Sequence, residues 1–351
     1  MNWEIIVEDT ALPPPAISWE QLPFGRVFGR YLAYAKYQEG GWQEVRVKRF
    51  ERLSLSPGTS ALHYGQAIFE GLKAYHRPKD TYFAFRVADH YQRFVRSAER
   101  LVMPPVPAEL FLGLLRRLLQ VEKDLFPPDL RHALYIRPLY FAADPWLGVR
   151  PSDSYIFLIY LTPVGPYYGE PVRVYVEEEL VRAAPGGTGS IKMAGNYSAA
   201  MLSGKKAQQH NCHVSLWLDA IRHELIEEFS TMNVFFVQKG PTLITPPLDR
   251  GTILPGITRD TVLKMAQMLG ISWKEQEVSI HELTEGIAHG SILEVFGTGT
   301  AATIMPVRSL FYANKWWQLP PTHPIADLLA LTYRQILSGE KSVVSEWIWE
   351  I

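Results

Sequence analysis

Residues 186–197 read Gly-Gly-Thr-Gly-Ser-Ile-Lys-Met-Ala-Gly-Asn-Tyr and place a single lysine, Lys192, between apolar neighbours. Glycines let the backbone adopt positive φ and approach a ligand closely. A lysine amine is a nucleophile only when deprotonated, a state that desolvation and nearby positive charge favour. The segment therefore suits a lysine that forms a Schiff base with pyridoxal phosphate. A solvent-exposed loop is the alternative.

The composition is that of a globular protein without a strong charge preference. The chain has 351 residues, of which 47% are hydrophobic and 20% charged, and its net charge is -1. This length predicts two domains. Because no block of like charge stands out, we expect neither nucleic acid nor a membrane as a partner. The single cysteine, Cys212, excludes an internal disulfide and favours a reducing compartment.

The start of the chain has neither the basic nor the apolar region of a signal peptide. The longest apolar run, near residues 155–161, is too short to span a bilayer. We therefore expect a cytoplasmic protein. Cys212 lies in a His-Asn-Cys-His segment whose spacing is too tight for a zinc site, so no metal is expected.

Hydrophobic patterns predict strands and helices interspersed along the whole chain. The predicted strands cover about 28–37, 42–50, 82–86, 133–141, 155–161, 172–178, 214–218, 233–238, 242–245 and 291–296. The predicted helices cover 89–103, 108–124, 196–208, 258–269, 279–288 and 324–338, with Asp89 as a cap and Ser279–Glu282 as a capping box. Three prolines and two glycines in residues 162–171 predict a linker between domains 1–161 and 172–351.

Two turns could bind a phosphate group. Pro255-Gly256 leads into a predicted helix whose first turn presents unpaired N–H groups that would face an anion. A Gly/Thr turn at 297–302 follows a predicted strand and supplies amides and hydroxyls. An ordinary helix start and a simple loop are the alternatives.

Charged side chains supply further candidates. Arg93, Arg96 and Arg100 lie on one helical stripe, which is either a solvated face or a place where one arginine turns inward to bind phosphate. Glu227 and Glu228 are adjacent in an extended segment, so they face opposite sides and only one is expected to point inward. The local pattern does not identify which.

Taken together, these segments resemble the branched-chain amino acid aminotransferases, which are fold-type IV pyridoxal phosphate enzymes. The resemblance runs from residue 24 to about 310 and rests on segments 62–75, 93–97, 135–138, 186–197, 228–233, 254–259 and 296–301. It implies a mixed α+β and α/β chain of two domains, with the cofactor at the domain interface. The smaller N-terminal domain would be α/β, and the larger, β-rich C-terminal domain would carry Lys192.

The resemblance implies a cofactor role for each matching residue. Lys192 matches the Schiff-base lysine that also moves the Cα proton, and Tyr197 matches the group that binds the ring 3-oxygen. Glu228 matches the partner of the pyridinium nitrogen, because Ser-Thr-Met-Asn at 230–233 fixes the register. The implied phosphate ligands are Arg93, the amides of Ile257 and Thr258, and Thr300.

The implied substrate site has three parts. Tyr135 and the amides of Thr300 and Ala301 match the site for the α-carboxylate. The side-chain pocket matches Phe28, Tyr64, Phe69, Tyr167 and Val149, of which Val149 would come from the partner subunit of a homodimer. Arg137 matches a residue whose role varies among relatives.

The implied reaction is a ping-pong transfer of the amino group from L-leucine, L-isoleucine or L-valine to 2-oxoglutarate, giving branched 2-oxo acids and L-glutamate. Tyr64 and Arg137 are the candidates for accepting the charged side chain of glutamate. The alternatives are a D-amino acid or amine aminotransferase, an aminodeoxychorismate lyase-like activity, and a non-catalytic protein that binds a phosphate ligand. Ala302-Thr303-Ile304-Met305 stands where some animal members have a Cys-x-x-Cys pair, so no thiol switch is expected.

Overall fold

The computed structural model describes residues 3–8, 12–78, 81–165 and 169–351. The α-helices are α1 Ser60–Tyr64, α2 Val87–Arg100, α3 Ala108–Val121, α4 Ala194–Ala199, α5 Met201–Gln209, α6 Ile257–Met268, α7 Ile280–Ala288 and α8 Pro324–Ser338. The strands are β1 Ile6–Val7, β2 Tyr31–Gln38, β3 Gly41–Arg49, β4 Ala67–Phe69, β5 Leu72–Arg77, β6 Thr81–Phe85, β7 Ala133–Ala142, β8 Tyr155–Val164, β9 Val172–Glu177, β10 Val214–Leu218, β11 Ile226–Phe229, β12 Met232–Gln238, β13 Thr242–Thr245, β14 Ser272–Glu275, β15 Ile292–Gly299, β16 Thr303–Tyr312, β17 Lys315–Gln318 and β18 Ile348–Glu350.

The chain divides into two compact units. The first contains Met1–Tyr167, Lys192–Gly195 and Ser342–Ile351, and the second contains Tyr168–Ile191 and Asn196–Lys341. This division differs from the domains expected at 1–161 and 172–351 in two places, because Lys192 and the last ten residues belong to the first unit. In addition, β8 continues to Val164, inside the segment expected to be the linker.

A mainly antiparallel sheet forms the first unit. Its strand order is β1-β3-β2-β8-β7-β5-β6-β18, and β4 pairs with β7. Helix α3 packs on β2, β3 and β8, and its buried side chains recur every three or four residues, as an amphipathic helix requires. The last strand, β18, pairs with β6, so the end of the chain completes this sheet.

The second unit is built on another sheet, in the order β11-β10-β9-β16-β15-β12-β13-β14. Because β11 also pairs with β12, six of these strands form a closed ring within the described part of the chain. Closure pairs the backbone of strands that would otherwise be edges. Val174, Leu216, Phe236 and Val295 belong to its apolar core, against which α7 packs.

Most predicted elements are present, but several bounds differ. Helix α2 begins at Val87 and not at Asp89, because Arg86 is its N-cap and Asp89 lies in the first turn, where it binds the Arg86 side chain at 2.8 Å. The helix predicted at 196–208 is two helices that meet at Ala200. Strand β15 continues through its glycines to Gly299, since β16, which the pattern did not predict, pairs with it.

The predicted capping box is confirmed at the start of α7. Ser279 Oγ accepts a hydrogen bond from Glu282 N at 3.0 Å, and the Glu282 carboxylate accepts one from Ser279 N at 2.7 Å. Two N–H groups at the helix start are therefore satisfied reciprocally. Among the residues that the structure describes, no helix is long and apolar enough to cross a membrane.

Candidate active site

Lys192 is anchored against the first unit through its backbone. Its N–H donates to Ser97 Oγ at 3.1 Å, and its carbonyl accepts a hydrogen bond from Phe69 N at 3.1 Å. The next residue, Met193, forms an isolated antiparallel bridge with Ile68. The side chain is half-buried, with Nζ 4.9 Å from the centre of the Phe69 ring. This placement excludes the solvent-exposed loop.

Of the three arginines on the α2 stripe, Arg93 is buried, whereas Arg96 and Arg100 are exposed. The guanidinium of Arg93 donates from Nε and Nη2 to the two carboxylate oxygens of Glu70, at 2.6 and 2.9 Å. His90 Nδ1 lies 2.8 Å from Glu70 Oε2. Two parallel charge-assisted hydrogen bonds fix the plane of the guanidinium. The arginine is therefore oriented before any ligand binds.

Glu70 is fully buried, and opposing effects act on its carboxyl group. Burial alone would raise its pKa, but the adjacent Arg93 and His90 hold the pKa well below its usual range. Glu70 is therefore a carboxylate at neutral pH. A buried charge is tolerated because it is both paired and hydrogen-bonded.

Tyr135 and Arg137 lie on the same face of β7, two residues apart. Arg137 Nη2 donates to Tyr135 Oη at 3.3 Å, and its guanidinium lies 4.8 Å from the centre of the Phe69 ring. Gly71 passes close to the Tyr135 hydroxyl: a Cβ at position 71 would lie 1.8 Å from it. Tyr135 can keep this position only if residue 71 has no side chain.

Three further candidates of the first unit are exposed. Phe28 stacks on Phe50 with ring centres 4.9 Å apart. Tyr64 Oη accepts a hydrogen bond from Gly148 N at 3.0 Å, which ties Tyr64 to the loop that carries Val149. The Val149 side chain is 89% exposed. Tyr167 lies outside the described residues.

In the second unit, Glu228 is held by an arginine and an asparagine. Its Oε1 lies 2.8 Å from Arg182 Nη2, and its Oε2 accepts a hydrogen bond from Asn233 Nδ2 at 3.0 Å. Asn233 lies opposite Glu228 on β12 and also donates to the carbonyl of Leu254 at 2.9 Å. The carboxylate of Glu228 is therefore fixed in one orientation.

The expectation that only one of the adjacent acids points inward is wrong. Glu227 is 3% exposed and Glu228 is 4% exposed. They do face opposite sides of β11, as alternation requires, but both faces of this strand are covered. Burial on both faces is a tertiary property that two adjacent glutamates do not reveal.

Arg182 is the site residue that the sequence analysis missed. Besides Glu228, its Nη2 binds the carbonyl of Gly189, at 2.8 Å, and that of Thr252. It therefore connects the glycine loop to the acid and to a third segment. The only local signal is one arginine in the Ala/Pro-rich stretch before the glycines, and nothing in that stretch identifies distant partners.

The residues of the second unit that are candidates for binding an anion lie at the predicted helix start and strand end. Ile257 and Thr258 form the buried first turn of the 12-residue α6, whose N-cap is Gly256. Thr300 and Ala301 are half-buried in the turn between β15 and β16. Tyr197 is half-buried in α4. Helix starts and amide-rich turns of this kind attract phosphate and carboxylate groups.

These donors and acceptors fit pyridoxal phosphate. The cofactor requires a lysine for its aldehyde, cations or amides for its phosphate, and an acid for its ring nitrogen. Lys192 and the pre-oriented Arg93 supply the first two kinds of group in the first unit, and the buried Glu228 supplies the third kind in the second unit. No group of His, Cys, Asp and Glu that could hold a metal ion is found within the described residues.

Comparisons with known proteins agree on one family. The family model of amino-transferase class IV matches residues 67–310. Branched-chain-amino-acid transaminase 1 of Bacillus subtilis is 45% identical over 294 residues, which are 82% of each chain. The Escherichia coli branched-chain amino acid aminotransferase has a similar structure, with a TM-score of 0.76 and 30% identity, covering 91% of this chain and 98% of that one.

A second solved structure is that of the branched-chain aminotransferase from the thermophilic archaeon Thermoproteus uzoniensis with norvaline. It has a TM-score of 0.76 and 27% identity, and the match covers 91% of this chain and 99% of that one. These similarities confirm the fold-type IV architecture expected from the sequence.

Replacing Glu70 tests the buried ion pair. Glu70→Gln keeps the shape but removes the charge and leaves Arg93 uncompensated, so we expect the free energy of unfolding at neutral pH to fall by about 3–5 kcal/mol. Because the folded-state pKa of Glu70 is lowered, its contribution is present above the unfolded-state pKa of about 4.3 and is lost as the pH falls further. Urea unfolding of both proteins across this range measures the difference.

Glu99→Gln, at an exposed position on α2, is the matched control and should change stability little at any pH. The interpretation fails if the difference in the free energy of unfolding between wild type and Glu70→Gln stays constant as the pH is lowered.

Proposed function

The chain belongs to the class IV aminotransferases and, within them, to the branched-chain amino acid aminotransferase family, and from this membership we propose its reaction. It transfers the amino group of L-leucine, L-isoleucine or L-valine reversibly to 2-oxoglutarate, in a ping-pong cycle that uses pyridoxal 5'-phosphate. One observation carries the proposal. Ser97 accepts from Lys192 N and donates to the carbonyl of Arg93 at 2.9 Å, which links the reactive lysine to the oriented arginine.

When bound, pyridoxal phosphate supplies an electron sink for the negative charge that develops at the substrate Cα. By the family pattern, Arg93, the amides of Ile257 and Thr258, and Thr300 would bind its phosphate. Tyr197 would donate to the ring 3-oxygen, and Glu228 would pair with the ring nitrogen and favour its protonated form. Arg182 and Asn233 orient Glu228 for this contact.

Lys192 performs the proton transfer. With its amine free, Lys192 would take the proton from the substrate Cα and return it as a general acid–base, while the cofactor would supply the electron sink. Its backbone is fixed by Ser97 and Phe69, so the amine moves only by rotation of the side chain. A fixed backbone with a flexible side chain suits a lysine that must first bind the cofactor and then transfer a proton.

Recognition of two unlike substrates follows from the arrangement around Tyr135. Tyr135 and the amides of Thr300 and Ala301 bind the α-carboxylate that all substrates share. By the family pattern, Phe28, Tyr64, Phe69 and Tyr167 would form the apolar pocket for a branched side chain; Tyr167 lies outside the described residues. Arg137 lies against the Phe69 ring, so a cation stands beside an apolar wall. The same pocket thereby accepts the leucine side chain or the carboxylate of glutamate.

The assembly we propose is a homodimer in the cytoplasm. Leu147 and Val149, on the loop tied to Tyr64, are 66% and 89% exposed. Apolar side chains that protrude from a loop mark a contact surface. In the family pattern, the partner's Val149 completes the side-chain pocket.

Lys192→Ala tests the cofactor assignment. We expect the purified protein to be yellow and to lose its visible absorbance when reduced with borohydride. Lys192→Ala should lack this band and lose about 10³-fold or more of the activity, because both the cofactor link and the acid–base group are gone. Lys205→Ala, at an exposed lysine of α5, is the control and should keep the colour and the rate.

A substrate panel tests the reaction itself. With 2-oxoglutarate as acceptor, L-leucine should turn over much faster than D-alanine. Faster turnover of D-alanine would favour a D-amino acid aminotransferase, and lyase products from an aminated chorismate would favour the lyase alternative. A colourless protein that takes up no cofactor would support a non-catalytic binding protein.

Gly71→Ala tests the carboxylate site. The added methyl group would overlap the Tyr135 hydroxyl and displace it, so we expect the KM for L-leucine to rise about tenfold while the visible absorbance persists. Gly204→Ala is the matched control, because a Cβ there meets no atom within 4 Å. An unchanged KM in Gly71→Ala would remove Tyr135 from the substrate site.

A further inference from the structure

The second unit contains a cavity of about 280 Å³ that the proposed reaction does not use. Glu227, Thr252, Arg250 and residues 219–222 line it. It opens on the side of β11 opposite to Glu228, since adjacent residues of a strand face opposite ways. A water molecule takes about 30 Å³ of liquid volume, so this space is large enough for a small organic molecule.

Glu227 presents a buried carboxyl group to this cavity. The residue is 3% exposed, and neither carboxyl oxygen has a hydrogen-bond partner within the described residues. The hydroxyl of Thr252, which is 1% exposed, lies near enough to the Glu227 carboxyl to lower its pKa, but it makes no well-formed hydrogen bond within the described residues. Burying such groups without a partner is unfavourable, because each has given up its hydrogen bonds to water. The wall of the cavity therefore offers polar atoms that require a partner from within it.

The neighbouring acid, Asp219, does not need such a partner. Its carboxylate accepts four backbone hydrogen bonds, from the N–H groups of Ile221, Arg222, Glu224 and Leu225, at 2.8 to 3.2 Å. These bonds hold residues 219–225 as a compact turn. Asp219 thus fixes the shape of the cavity wall, and Glu227 remains the unsatisfied acid.

Positive charge lies on the same cavity. Arg222 is exposed on this turn and makes no ion pair in the part of the chain that the structure describes, whereas Arg250 pairs through Nη2 with Glu277. Ile221, beside Arg222, is 74% exposed and adds an apolar surface. The cavity therefore combines an acid that requires a cation, a guanidinium available to an anion and an apolar wall.

We propose that this cavity binds a free α-amino acid, with its ammonium group on Glu227 and Thr252 and its carboxylate on Arg222 and Arg250. A guanidinium binds a carboxylate through a planar fork of N–H groups, and a buried carboxylate is stabilised by a cation. An amine or a carboxylic acid alone would satisfy only one end. The apolar side chain of a leucine-like amino acid would contact Ile221.

The cavity is connected to the residues around Glu228 through one segment. The carbonyl of Thr252 accepts a hydrogen bond from Arg182, which also contacts Glu228. A ligand on the Thr252 hydroxyl thus touches the residue that helps to hold Arg182. The inference does not depend on the proposed activity, because binding is measured separately from amino transfer.

Calorimetric titration of L-leucine into the borohydride-reduced holoenzyme tests the proposal. We expect one cavity site per chain, and about tenfold or greater weakening in Glu227→Gln and in Arg222→Ala, since each removes one charge-assisted contact. Because Arg222 is exposed, Arg222→Ala is not expected to disturb folding. It therefore tests the site even if the buried substitution Glu227→Gln destabilises the protein. Arg308→Ala, an exposed arginine on β16, is the control and should bind like wild type.

Isoamylamine and 4-methylvalerate, titrated in parallel, carry one charge each and should bind at least tenfold more weakly than leucine. The proposal is overturned if wild type gives no binding heat, or if both substitutions leave leucine affinity unchanged, which would place all binding at the cofactor site. Equal affinity for either single-charge analogue would also overturn it. The transamination assay reports on the proposed function independently.

Discussion

The first unit depends on the buried carboxylate of Glu70. Its backbone N–H bonds to the carbonyl of Pro138 on β7, and its side chain bonds to Arg93 and His90 on α2. Removing one partner of a buried ion pair costs about 3–5 kcal/mol, because the other charge is left uncompensated. Helix α2 can therefore settle in only one register against the sheet. Through Ser97, the same register sets the backbone position of Lys192.

The second unit fixes the buried acid Glu228 by the same physical means. Glu228 is buried, and Arg182 and Asn233 approach it from other segments of the chain. Gly256 must lack a side chain here, since a Cβ would lie 2.0 Å from Asn233 Oδ1. In both units an inflexible acid–base arrangement is assembled from separate segments, and glycine appears where a side chain would displace one of them. Such preorganisation spares the protein from ordering these groups when a ligand binds.

The sequence predicted what local chemistry determines. The leucine repeat of α3 and the Ser279–Glu282 spacing specify a helix face and a helix start without outside help. Periodicity also placed Arg93 on a stripe with two other arginines, but only the position of Glu70 decides that Arg93 turns inward. Pairing with β16 keeps Gly297 and Gly299 in a strand despite their low strand propensity. Arg182 and β18 depend entirely on distant partners, so no local signal identified them.

The two adjacent glutamates of strand β11 are both buried but have different surroundings. Glu228 has Arg182 and Asn233 within hydrogen-bond distance, whereas the oxygens of Glu227 have no such partner among the described residues. Burial raises the pKa of Glu227, opposed in part by the nearby Thr252 hydroxyl, Arg182 and Arg250 and reinforced by Asp219. An ammonium group at this wall would supply the opposite charge that the buried carboxyl group lacks, and so would favour its carboxylate form. Binding of an amino acid at this wall would therefore lower the pKa of Glu227, in the direction opposite to the effect of its burial.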